Sequence, residues 1–119
     1  MTRISVQVVE DDAMIGMLLR EMLEDLGYTG CALSVTEDDA VIDALRCKPD
    51  IMLVDLQLRE GSGIEAVRRI LLKGPVQHIY MSGAPTVSDA PVLHKPFLEI
   101  DLVRAIRLVT QDLNQEASA

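Results

Sequence analysis

Five polar positions stand directly after short apolar runs, and their residue types are those of metal and phosphate chemistry. Glu10 and Asp11 follow the run 4–9, Asp55 follows 51–54, Ser82 follows 76–81, and Lys95 follows 92–94. Three clustered carboxylates repel one another, which calls either for raised pKa values or for a bound hard cation with oxygen ligands; Mg²⁺ is the natural choice. Asp11 and Asp55 would ligate it directly, Glu10 through water, and a backbone carbonyl near Gln57 would complete the set. Lys95 adds a positive charge and Ser82 a hydroxyl donor, both suited to phosphoryl oxygens. A carboxylate can itself attack phosphorus to give an acyl phosphate, and Asp55, at the middle of the cluster, is the candidate nucleophile. A single acid after a strand is most often a loop residue or a helix cap. Independent loop acids, however, have no reason to gather at one end of several strands.

Such convergence needs an open parallel sheet, where ligands sit beyond the carboxyl ends of the strands. The hydrophobic pattern predicts strands over 4–9, 29–33, 51–54, 76–81 and 92–94. Between them the period becomes helical. A first helix is predicted over 14–26 with Ile15, Leu18, Leu19, Met22 and Leu26 on its apolar face, stopped by Gly27. A second runs over about 37–46, with Thr36 as N-cap and acids in its first turn. A third spans 64–72 with Ile64, Val67 and Leu71 inward, and a last one runs from 97 to about 113 with Leu98, Leu102, Ile106 and Val109. Alternating strand and helix predicts an α/β fold, a five-stranded parallel sheet with helices on both faces.

The 119 residues amount to one domain, 1–119, with its core over about 3–113 and a polar tail, 114–119, expected to fray. A chain 49% hydrophobic and 25% charged buries a core, which excludes global disorder. Eleven basic against nineteen acidic residues, net −8, with no basic cluster, argue against nucleic acid. The start lacks a hydrophobic signal core and no apolar stretch approaches the ~20 residues that span a bilayer, so no membrane partner and a cytoplasmic location are expected. Cys31 and Cys47 show no metal or redox spacing and are expected to be ordinary reduced residues without a role.

Taken in order, Val8-Val-Glu-Asp11, Leu53-Val-Asp55-Leu, Gly63, Tyr80-Met-Ser82-Gly and His94-Lys95-Pro96-Phe97 resemble the receiver domain of two-component response regulators, over nearly the whole chain. The resemblance implies a flavodoxin-like doubly wound sheet of order 2-1-3-4-5. It implies phosphorylation of Asp55 by a sensor histidine kinase or a histidine phosphotransfer protein. It also implies Mg²⁺ held by Glu10, Asp11 and Asp55, phosphoryl contacts from Ser82 and Lys95, and Pro96 as a cis-proline or turn after the lysine. Asp12 is given no ligand role. Gln57 and Ala84, beside the phosphate site, are expected to influence phosphate lifetime.

Three departures bear on mechanism. Val92 stands where the family commonly has an aromatic switch residue, and Arg59 stands where it often has proline; Arg59 is read as solvated. Only twelve residues separate Ser82 from Lys95, leaving about eight or nine for loop, helix and loop, where a mean helix alone takes ~11. With Pro85 and Pro91 restricting it further, the fourth helix is expected to be short or replaced by a mobile, mostly non-helical crossover, with Gly83, Pro85 and Val92 in the switch segment. Some single-domain receivers lack this helix and carry a short motif similar to Tyr80-Met-Ser-Gly83, from which Pro85 departs.

The reading from these residues is a stand-alone receiver without an output domain, not an enzyme, acting as relay, sink or binding switch on an unknown downstream protein and expected to be monomeric. A receiver cut from a hybrid kinase is a variant of it. A pseudo-receiver interaction module indifferent to phosphorylation is the alternative. A metal-dependent phosphatase with an aspartyl nucleophile fits less well, because Gln57 stands where its general acid is needed.

Overall fold

The computed structural model describes residues 3–118, with side chains described through residue 111. The element order is β1 (Ser5–Val9), α1 (Ala13–Asp25), β2 (Thr29–Ser34), α2 (Glu37–Cys47), β3 (Ile51–Asp55), α3 (Gly63–Leu71), β4 (Gln77–Ser82), β5 (Val92–His94) and α4 (Glu99–Ser118). The named strands pair in parallel and the sheet order is β2-β1-β3-β4-β5, as expected. No helix among the described residues is long and apolar enough to cross a membrane.

Strand side chains alternate between two faces, so a strand apolar at every position must be covered on both. Val6, Val8, Ile51, Leu53, Ile79, Met81 and Leu93 face α1 and α4, which contribute Leu19, Leu23, Leu102 and Ile106. Val9, Met52, Val54 and Tyr80 face α2 and α3, which contribute Ala40, Ala44, Ala66, Val67 and Ile70. On this second face no helix follows β4: the segment 83–91 is non-helical, one of the two outcomes the residue count allowed, and Ala90 and Val92 lie against the cluster instead. Val92 is therefore a packing residue beside Tyr80 rather than an aromatic switch.

Several local expectations need correction. In α1 the buried positions are Gly16, Leu19 and Leu23, whereas Ile15 and Leu18 are exposed together with Met14 and Met17. In α3 the buried set is Gly63, Ala66, Val67 and Ile70, so Ile64 and Leu71 face outward. Both helices rotate to present small residues to the sheet, which lets their axes approach it; larger apolar residues at the edge of the stripe are left at the surface. Leu98 precedes α4 and is exposed. Cys31 and Cys47 are joined in a disulfide, contrary to the expectation of free thiols. A two-residue turn reverses the chain between β2 and α2, so the start of the strand meets the end of the helix, with Cα atoms 6.1 Å apart across 16 positions of sequence. That separation lies within the range a disulfide spans.

Candidate functional site

Each group of the site is set by the end of a strand. Glu10 continues the β1 ladder, its N–H donating to Ser34 O at 2.9 Å, and this turns its side chain into the interior, where it is 1% exposed. Asp11 begins the following loop. Asp12 is the N-cap of α1, its carboxylate accepting the N–H groups of Met14 and Ile15, which explains why an acid stands there without serving the cluster. Asp55 ends β3 and is 6% exposed. Leu56 N–H donates to Met81 O at 3.0 Å and Lys95 N–H to Ser82 O at 2.7 Å, so the ladder extends beyond the strands and fixes Asp55 and Lys95 on either side of the end of β4.

Glu10, Asp11 and Asp55 bring carboxylate oxygens within 4.8 Å of one another. An all-oxygen anionic donor set with this spacing fits a hard divalent cation such as Mg²⁺. Lys95 lies across the cluster: its Nζ donates to Asp55 Oδ2 at 2.6 Å and to Glu10 Oε1 at 2.8 Å. The other Asp55 oxygen, Oδ1, accepts the Gln57 N–H at 3.0 Å. Burial raises the Glu10 carboxyl above its usual range, Asp55 adding repulsion while the Lys95 hydrogen bond opposes both. Burial alone would lower the Lys95 ammonium, but its hydrogen bonds to Asp55 and Glu10 outweigh that and raise it. Asp11 is lowered: desolvation, the largest single influence, works against this, and the hydrogen bonds with the Glu10 carboxyl and the Arg59 N–H together outweigh it.

Gly63 makes the fit at Asp55 possible. A Cβ on it would collide with the carbonyl oxygen of Asp55 and come 2.8 Å from Val54 Cγ1, so α3 starts hard against the end of β3. Ser62 caps that helix by accepting the Glu65 N–H, and Glu37 at the head of α2 accepts the Ser62 N–H at 3.0 Å. Arg69 then binds Glu37 at 2.9 Å and Asp38 at 2.7 Å, clasping α2 to α3 behind the loop that carries Gln57.

The residues expected to form the site are thus brought together, with one exception and three additions. Ser82 is 3% exposed, but its hydroxyl is turned into the crossover, donating to Ala84 O at 2.8 Å, accepting the Ala84 N–H at 3.1 Å, and lying 2.9 Å from Thr86 Oγ1. Thr86 is the first addition; the sequence reading did not single it out, because a loop residue has no periodic context to mark it. The second is the direct contact of Lys95 with Glu10, which strand-end placement alone does not specify. The third is Arg59, whose side chain is solvated as expected but whose backbone N–H donates to Asp11 Oδ2 at 2.8 Å. Ala84 and Gln57 flank the site at its exposed rim, and the Lys95–Pro96 peptide bond is cis.

Residues 6–107 match the family model described as the response regulator receiver domain, and the chain belongs to that family. It is 32% identical over 112 residues to the transcriptional regulatory protein PdtaR of Mycobacterium tuberculosis, covering 87% of this chain and 55% of that protein. It is 34% identical over 82 residues to a protein-glutamate methylesterase/protein-glutamine glutaminase of Thermotoga maritima, covering 66% of this chain and 23% of that protein. The chain therefore spans between about a quarter and about half of the length of these curated relatives. Among solved structures it superposes on the receiver domain of the PhyR response regulator of Erythrobacter litoralis with a TM-score of 0.84 at 27% identity, covering 91% of this chain and 90% of that one. It also superposes on the signal receiver domain of a modulated diguanylate cyclase of Desulfovibrio desulfuricans, with a TM-score of 0.86 at 26% identity and coverage of 97% and 99%. Receiver domains bind Mg²⁺ at an acidic pocket, and Glu10, Asp11 and Asp55 form such a pocket here. Receiver domains signal through kinases or phosphotransfer partners.

Proposed function

We propose that this receiver accepts a phosphoryl group on Asp55 and passes the change on through protein contacts. The observation that carries the reading is the arrangement around Asp55: a nearly buried carboxylate with an ammonium 2.6 Å from one oxygen and a backbone N–H on the other, among two further acids. An Asp55 oxygen forms the new bond to phosphorus while the bond from phosphorus to a donor imidazole nitrogen breaks, and the electron pair returns to the ring. Lys95 is placed to exchange a carboxylate oxygen for a phosphoryl oxygen, and Ser82 to donate to a second one after its side chain rotates. Glu10, Asp11 and Asp55, with a backbone carbonyl at Gln57, would hold Mg²⁺, which supplies charge neutralisation for the transferring group. Ser82 and Lys95 stand at the ends of the two strands that flank the crossover, so the added charge of about −1.5 to −2 acts where the chain lacks a helix.

The donor is a sensor kinase or histidine phosphotransfer protein. Apolar residues of α1 and of the stretch after β5 support a protein donor: Ile15, Leu18, Met22, Pro96 and Phe97 line a groove of about 400 Å³ that also includes Lys95. A helix laid in that groove carries its histidine to the mouth of the Asp55 site. The protein is in this reading a phosphoacceptor rather than an enzyme acting on a separate substrate, whether it serves as relay, sink or binding switch.

Incubation with Mg²⁺ and a small acyl phosphate donor such as acetyl phosphate tests this by intact-mass spectrometry. The expected result is a single hydroxylamine-labile phosphoryl adduct that is absent from Asp55→Asn. No adduct, or the same adduct in Asp55→Asn, would overturn it and favour a phosphorylation-independent interaction module.

A further inference from the structure

The crossover 83–91 has no helix, and Val92 packs against Tyr80, so the usual aromatic does not connect the site to the surface. A different residue is placed to do so. Thr86 alone among 83–89 is partly buried, the others being exposed, and its hydroxyl reaches the side chain of Ser82.

The protons around Ser82 can be counted. Its hydroxyl has one proton to give, as does that of Thr86. In the structure both hydroxyls lie within donor distance of Ala84 O, at 2.8 and 3.0 Å, and within 2.9 Å of each other, while the Ala84 N–H donates to Ser82 Oγ at 3.1 Å. Two assignments use each proton once: Thr86 donates to Ser82 Oγ while Ser82 donates to Ala84 O, or Ser82 donates to Thr86 Oγ1 while Thr86 donates to Ala84 O. In either one the Ser82 proton is committed to the crossover and none is left for a phosphoryl oxygen. For Ser82 to donate to a group on Asp55 it must abandon its acceptor in the crossover, and turning its oxygen toward Asp55 also breaks its contact with Thr86 and withdraws the acceptor from the Ala84 N–H. Thr86 thereby loses its side-chain partner across the loop, retaining only the carbonyl of Ala84 two residues away.

We propose that Thr86 is a positioning residue that holds Ser82 in its resting orientation, and that occupation of Asp55 releases it, so that the Ser82–Thr86 contact couples the site to the 83–91 crossover. This rests on the phosphoacceptor reading above, and the test separates the two. Because Thr86 stabilises the resting orientation alone, removing its hydroxyl favours the loaded one. One hydrogen bond of this kind shifts such an equilibrium by about two- to tenfold.

The experiment titrates the Mg²⁺-loaded protein with beryllium fluoride, an acyl-phosphate mimic, and reads amide NMR spectra of wild type, Thr86→Val and Thr86→Ser. Valine keeps the shape and removes the hydroxyl; serine restores it. The expected result is about two- to tenfold tighter binding by Thr86→Val, with its mimic-free amides over 83–91 displaced toward their bound positions. Thr86→Ser should return both to wild type, and in a Ser82→Ala background Thr86→Val should change neither. Wild-type affinity in Thr86→Val would overturn the role of Thr86 while leaving the phosphoacceptor reading intact. So would an effect that Thr86→Ser does not reverse, or one that persists without the Ser82 hydroxyl. Absence of mimic binding to wild type would overturn the phosphoacceptor reading itself, and with it the coupling.

Discussion

The site is built from two regions of unequal construction. Behind Glu10, Asp11 and Asp55, the stretch from β2 to α3 is held by side-chain caps at Thr36 and Ser62, by the Arg69 clasp on Glu37 and Asp38, and by the Cys31–Cys47 bond. Behind Ser82 and Lys95, β5 has three residues and the connection to it has no helix, with Thr86 as its one partly buried residue over 83–89. Few buried contacts mean a low free energy of local opening, and switching elements are drawn from such regions. The acids thus stand on a braced frame, while the hydroxyl that would respond to a phosphoryl group is tied to a lightly anchored chain. On the proposed reading, the phosphoacceptor and the responding loop lie in opposite halves of the sheet, joined through Ser82 and Lys95.

The largest effect is expected from Asp55→Asn, which should abolish adduct formation and leave the crossover unresponsive to acyl phosphate. A crossover that still responds would mean that its movement is driven from elsewhere. Next in size is the cross-link. Reduction, or Cys31→Ser, should lower the unfolding free energy in urea by about 3 kcal/mol, the value for closing a loop of this length, without weakening mimic binding at Asp55. An unchanged midpoint would show that packing alone braces β2 and α2. Gly63→Ala should cost about 1–3 kcal/mol, because its Cβ meets the backbone of Asp55 rather than a yielding side chain, and should also weaken mimic binding. Stability loss with unchanged binding would uncouple the start of α3 from the site. At the small end, Val87→Asp should change stability by no more than about 0.5 kcal/mol, since Val87 is fully exposed. A larger loss would reveal an anchor in the crossover besides Thr86.

What could be read from the sequence follows the same division. Strand ends are marked by abrupt changes from apolar to polar, so Glu10, Asp11, Asp55, Ser82 and Lys95 were all legible. The residue count between Ser82 and Lys95 excluded a full-length helix between β4 and β5, and Pro85 and Pro91 restricted it further. Helix rotation was less legible: Ile64 and Leu71 satisfy a helical period, yet the sheet takes Gly63 and Ala66, because close approach favours the small residue. The Cys31–Cys47 pair was hidden by its 16-residue separation, which becomes proximity only when the chain reverses between β2 and α2. Ser82 was placed at the correct strand end, but its hydroxyl direction depends on Thr86, a loop residue without periodic context. The Lys95 contact to Glu10 requires the register of β1, β3, β4 and β5 together, which no single segment encodes.

Occupation of Asp55 should be answered in the crossover and not in the braced frame. Hydrogen–deuterium exchange followed by peptide mass spectrometry, on the Mg²⁺-loaded protein with and without beryllium fluoride, distinguishes the two. Altered exchange is expected in peptides covering 83–91, with those covering β2 and α2 unchanged. Altered exchange in β2 and α2 with an unchanged crossover would contradict it.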